Sequence, residues 1–242
     1  MIRFLASTIA VSVVMITILH TPVRAGLDAE ERAQTQQMIE QFIKDNPELL
    51  RDALVALAAR EEAKRLQAGI MAVRDDAGDP VMGNPDGSII VYEFSDYNCG
   101  YCKRVFPDLM AVLEADPSLR LVIKEFPILA ESSVLAARAA IAAQAQKKFP
   151  AFHKALMGWR GRLDGDAIND VAKKVGLDTK QLQKDMQDER TDFILSRTRQ
   201  AASALDLRGT PALIIGKNII PGAIGREEIL SLIKQAKADK NS

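Results

Sequence analysis

Apolar residues change their spacing several times along this chain. The changes mark a helical segment, a strand-rich segment, a second helical segment and a strand-rich end. From Leu27 to about Met71 apolar positions recur at helical spacing. Met38, Ile39, Phe42 and Ile43 share a face, Asn46-Pro47 interrupts it, and Pro47 suits the first turn of a new helix. Leu49, Leu50, Ala53, Leu54, Leu57 and Ala58 then form a second stripe among Arg51, Asp52, Arg60, Glu61 and Glu62. Such a stripe must be buried, on its own domain or on another subunit. Its place outside the strand-rich part favours another subunit. Arg74 to Ser88 is rich in turn signals, such as Gly83-Asn84-Pro85-Asp86-Gly87, and reads as a linker or domain entry.

Ile89-Ile90-Val91-Tyr92-Glu93-Phe94 reads as a buried strand, Lys103 to Leu113 as a helix, and Leu119 to Phe126 as a second strand. A β-α-β unit of this length makes the two strands parallel. Alternation then stops. Leu135 to Ala145 is alanine-rich and helix-prone, and Asp166–Val175, Asp178–Met186 and Thr191–Leu205 read as further helices. Phe149, Phe152, Leu156, Met157 and Trp159 form a small aromatic core, and His153 beside Phe152 reads as a packed core or a surface residue rather than a catalytic one. Residues from about 130 to 205 are therefore a helical insertion. Pro211 to Ile215 and Asn218 to Ile220 flank Gly216-Lys217 as a hairpin, and Arg226 to Ala238 closes the chain as a helix.

The first 25 residues belong to none of these units. Arg3, an apolar run from Phe4 to Leu19, a break at Thr21-Pro22 and the small-residue signal Val23-Arg24-Ala25 read as a cleaved export leader. The run is shorter than the roughly 20 apolar residues of a membrane span; an uncleaved anchor is the alternative. Export delivers the chain to an oxidising compartment. Lys+Arg and Asp+Glu both total 32, and aromatic residues make up 5%, which speaks against a nucleic acid or an anionic membrane surface as partner. No Gly-x-Gly-x-x-Gly opens a helix, so no phosphate-binding loop is present.

The chemistry lies in Cys99-Gly100-Tyr101-Cys102, which holds the chain's two cysteines. A strand feeding this spacing into a helix is the setting of a redox pair. Unpaired N–H groups and the helix dipole favour a thiolate at the first position. A structural zinc site needs about four N or S ligands. A structural disulfide across so short a loop removes little unfolded-state entropy. Both are poorer readings. Glu93, six residues before Cys99, is either a buried acid beneath the pair or an acid on the solvent face of an edge strand.

These residues resemble the thioredoxin superfamily. More narrowly, from about Val81 to Ala238, they are similar to exported bacterial proteins of the DsbA type. The run Phe94-Ser95-Asp96-Tyr97-Asn98-Cys99-Gly100-Tyr101-Cys102-Lys103-Arg104 and the segment Asn46-Pro47-Glu48-Leu49-Leu50 look closest to the suppressor-of-copper-sensitivity C branch. The resemblance implies an α/β thioredoxin fold with a helical insertion. Its parts are a leader (1–25), a helical oligomerisation segment (26–72) and a catalytic domain (80–240). It implies Cys99 as the exposed nucleophile, Cys102 as the buried resolving thiol and Glu93 as general base. Pro211 becomes a cis-proline facing the pair, and Pro107 the proline that interrupts the helix. Gly100, Tyr101, Thr210 and Pro211 would line a groove for extended peptide.

No cofactor is implied beyond a redox-active Cys99–Cys102 disulfide. The implied partners are exported proteins with cysteines, a membrane redox partner and further copies of the chain. DsbA itself carries Pro-His between its cysteines. Gly100-Tyr101 and Thr210 instead resemble the isomerase DsbC, which points to a periplasmic oxidoreductase with an isomerase or reductase lean. A net dithiol oxidase is one alternative. A copper-tolerance protein holding Cu(I) on Cys99 and Cys102 is another, since two thiolates are soft ligands.

Overall fold

The computed structural model describes Gly26 and residues 28–241. The expected leader lies outside the described residues. Two compact units meet at the Ala58–Ala59 peptide bond.

The first unit is helical. Helix α1 (Ala29–Asp45) begins at Asp28, whose carboxylate accepts from Glu30 and Glu31 N–H while Glu31 reaches back to the Asp28 N–H. Helix α2 (Pro47–Arg74) starts at the predicted break and runs on into the second unit. No residue of α1 is buried, and Met38, Ile39, Phe42, Leu49, Leu50 and Leu54 all remain exposed.

The second unit is built on a sheet of five strands: β1 (Val81–Gly83), β2 (Ile89–Ser95), β3 (Leu119–Glu125), β4 (Ala212–Ile215) and β5 (Asn218–Pro221). Their order is β1-β3-β2-β4-β5. Strands β2 and β3 are parallel, from Ile89 opposite Leu119 to Ser95 opposite Glu125, as the β-α-β reading requires. Strand β4 runs antiparallel to β2, and the β4–β5 hairpin turns at Gly216, whose φ of 63° suits glycine. Strand β1 lies in the stretch expected to be a linker. Its three residues pair antiparallel with β3, a length too short for alternation to show among the surrounding turns.

Both faces of the sheet are covered, so β2 and β3 read as nearly continuous apolar runs. One face sets Val91, Leu121, Ile123 and Leu213 against helix α3 (Gly100–Ala115), α9 (Arg226–Asn241) and much of the insertion. The insertion comprises α4 (Glu131–Ala143), α5 (Phe149–Gly158), α6 (Gly165–Lys174), α7 (Thr179–Asp185) and α8 (Glu189–Ala204), in the expected place. Asp164, Asp178 and Asp188 cap α6, α7 and α8.

The other face sets Tyr92, Phe94, Val122 and Ile214 against Val73 of α2 and Ala201 and Ala202 of α8. The later part of α2 belongs to the second unit, where Gly69 lies so close to α8 that a Cβ would collide with the Leu205 side chain. Behind this face, Asp79 accepts from Lys124 Nζ at 2.6 Å and Arg197 Nη2 at 2.8 Å, and Arg197 also meets Asp75. The side chains of Asp79 and Lys124 have no exposed surface.

Candidate active site

Strand β2 delivers the chain into a tight loop that starts α3. Asp96 holds this loop. Its backbone carbonyl accepts from Cys99 N–H at 2.9 Å, and its side chain accepts from the N–H groups of Asn98, Ile128 and Leu129. Cys99 is the N-cap of α3, and its sulfur takes the place of a capping oxygen, accepting from Cys102 N–H at 3.4 Å. Across the opening, the Cys99 thiol donates to the Thr210 carbonyl at 3.1 Å. The Thr210–Pro211 peptide bond is cis, as the resemblance implied. Both cysteines are free thiols in this structure.

The expected exposure of Cys99 needs correction. It keeps 5% of its surface and Cys102 keeps none. The Thr210 carbonyl seated against the sulfur leaves it only a narrow opening. The two residues between the cysteines behave differently. Gly100 faces open space, and Tyr101 is 57% exposed with the Arg104 guanidinium 4.8 Å from its ring centre. Pro107 lies inside α3, where it removes one helical hydrogen bond.

Beneath the pair the site is acidic and buried. Strand β2 is central, not an edge, so the solvent-face reading of Glu93 is excluded. Glu93 is fully buried. Ser95 Oγ donates to its Oε1 at 3.1 Å, and Oε2 has no partner among the described residues. Burial pushes its pKa up to about 7, partly countered by the Ser95 hydrogen bond. Burial also pushes the Cys102 thiol far up, and the Glu93 charge adds to the rise.

A second buried acid was not anticipated. Glu125 shares a face with Glu93 on the adjacent strand and contacts the Tyr97 hydroxyl at 2.8 Å, which in turn lies 2.7 Å from His153 Nδ1. Burial raises Glu125 and Tyr97, and holds His153 near 3 and therefore neutral. Of the two expected readings of His153, core and surface, the core one holds: it is packed against Tyr97, Phe106 and Phe149. Trp159 is only half-buried at the end of α5.

The structure thus brings Cys99, Cys102, Tyr101, Thr210 and Pro211 around one opening, with Glu93 below. Beside it lies a cleft of about 400 Å³ between α3, the Thr210-Pro211 loop and the Gly222–Gly225 loop. The family model of the DSBA-like thioredoxin domain matches residues 90–234, which contain the cysteines, the insertion and the cis-proline. The chain belongs to the DSBA-like thioredoxin domain family.

The chain is similar to several solved structures. A thioredoxin-like oxidoreductase from Silicibacter pomeroyi DSS-3 is 39% identical, with 69% of this chain and 96% of that chain covered and a TM-score of 0.67. The catalytic domain of Proteus mirabilis ScsC is 30% identical, with 72% and 98% covered and a TM-score of 0.66. A curated relative, the Na(+)/H(+) antiporter NhaA 1 of Mycobacterium sp. (strain KMS), is 30% identical over 155 residues, 61% of this chain. The chain spans about a quarter of the length of such curated relatives. Among the described residues no helix is long and apolar enough to cross a membrane. The chain carries the DsbA-like thiol–disulfide oxidoreductase fold with its helical insertion.

Proposed function

We propose that this chain is a periplasmic thiol–disulfide oxidoreductase acting on protein disulfides, with a lean toward isomerisation and reduction. One observation carries the reading. Cys99 sits at the start of α3 under the Thr210 carbonyl, and Cys102 lies buried one turn on above a buried acid whose pKa is raised to about 7. The Cys99 thiolate attacks one sulfur of a substrate disulfide, forms a mixed disulfide and expels the other sulfur as a thiolate. A substrate thiol then displaces Cys99, which completes isomerisation. Otherwise Glu93 takes the Cys102 proton, and the Cys102 thiolate displaces the substrate, leaving substrate dithiol and the Cys99–Cys102 disulfide. Gly100, Tyr101, Thr210 and Pro211 border the path of the substrate backbone.

Export rests on the leader pattern of residues 1–25. A membrane redox partner would restore the working state of the pair. The isomerase lean draws support from Gly100-Tyr101, which places no cation between the cysteines. It also draws on the exposed apolar stripe of α1 and early α2, which suits self-association. Deleting residues 26–58 should give a monomer that still reduces small disulfides but refolds scrambled substrates poorly. A mature protein that sediments as a monomer at micromolar concentration would remove the oligomer from the proposal. Acid trapping and alkylation in cells should recover the cysteine pair mostly reduced. A mostly oxidised pair would assign the site to net oxidation.

A further inference from the structure

The cleft beside Cys99 carries a charge that thiol exchange does not use. Its walls are largely apolar: Tyr101, Val105, Pro211 and Ile224. Two of its lining residues are charged. Asp108 is tied to Arg226, Nε to Oδ1 at 3.2 Å, so that acid is already neutralised. Arg104 is not. It is exposed, stacks on Tyr101 and, among the described residues, has no carboxylate within ion-pair distance. An arginine held against an aromatic face keeps its outer N–H groups free for a carboxylate and loses little side-chain freedom in binding one.

Its sequence neighbour adds to the field. Lys103 Nζ and Arg160 Nη1 both donate to the Trp159 carbonyl, at 2.9 and 3.1 Å, and neither has a carboxylate partner among the described residues. The acid nearest the cysteines in sequence, Asp96, is buried and occupied by three backbone N–H groups. Open cations therefore crowd the first turn of α3, and no free carboxylate lines the cleft.

We propose that Arg104 is a specificity-determining residue, and that the cleft selects substrate segments in which an apolar side chain and an acidic residue lie close to the reacting cysteine. The proposal rests on the exchange reading above and names its preferred substrate. Charge matching of this kind acts on capture of the substrate, ahead of the sulfur chemistry, and weakens as salt screens it.

The test uses the full mature chain and short peptides of one sequence. Each carries a cysteine as a mixed disulfide with a neutral fluorescent thiol, flanked by Asp, Asn or Lys. Release of the fluorophore gives the second-order rate constant for attack by Cys99. The Asp peptide should react about tenfold faster than the Lys peptide at low salt, with the Asn peptide between them. Arg104→Glu should abolish or invert that order, and rising salt should shrink it. Because a ratio is read, a general loss of activity in the variant does not imitate the effect. Equal rates for all three peptides, or an Asp preference unchanged in Arg104→Glu, would overturn the proposal and leave the exchange reading standing. Release from no peptide would remove both.

Discussion

Glu93→Gln should slow the release of mixed disulfides by Cys102 about 100-fold and leave the first attack by Cys99 nearly intact. The asymmetry follows from burial. Cys102 has no exposed surface, its thiol is pushed far up, and the one acid placed to take its proton is Glu93. Only ionised Glu93 accepts a proton, so release in the native protein should accelerate as pH rises through about 7. In the variant that inflection should vanish and release should depend on hydroxide alone. Stopped-flow kinetics of the two exchange steps measures this; an unchanged second step would reduce Glu93 to a structural acid.

The same substitution has a thermodynamic signature. An acid whose folded pKa is raised binds its proton more tightly in the folded state. Stability is therefore lost as pH climbs from the unfolded value of 4.5 through about 7. The full loss is about 3 kcal/mol at most, and Gln removes it. Glu93→Gln should then be the more stable protein at pH 8 and nearly equal to the native one at pH 4.5, as read by urea unfolding at both pH values.

Asp79→Ala should cost about 3–5 kcal/mol of stability, a large share of what a domain of this size has. Removing the carboxylate leaves Lys124 with no exposed side-chain surface and Arg197 at 8%, both without their shared counter-ion. Burial pushes Asp79 up and Lys124 down, and their mutual attraction opposes both shifts. Breaking one half of such a cluster costs more than the cluster contributes. Adding Lys124→Met to Asp79→Ala should therefore recover part of the loss. If the double variant is less stable than the single one, the cluster is not acting as a charge-compensated unit.

Much of the catalytic unit was legible in sequence because both faces of its sheet are buried. That gave β2 and β3 apolar runs that no surface strand carries, and it fixed the place of the cysteine helix between them. The same runs hold a second signal. Lys124 and Glu125 are adjacent charges in a central strand, so they point to opposite faces and both are buried. One became the Asp79 cluster and the other the Tyr97–His153 contact. Their partners lie 45 and 28 residues away, a distance that tertiary folding alone closes. Helix α2 shows the opposite case. Its stripe is plain in sequence, but the face that covers Gly69 and Val73 comes from α8 and the sheet, contacts that the helix's own residues do not announce.

The most direct test of the exchange reading is to trap its intermediate. Cys102→Ser protein is mixed with a disulfide-bearing peptide, quenched in acid and mapped by mass spectrometry. The expected result is a stable adduct in which the peptide cysteine is joined to Cys99, with no comparable adduct on Cys102 in the Cys99→Ser protein. An adduct that forms readily on Cys102, or none on Cys99, would contradict the assignment of nucleophile and resolving thiol.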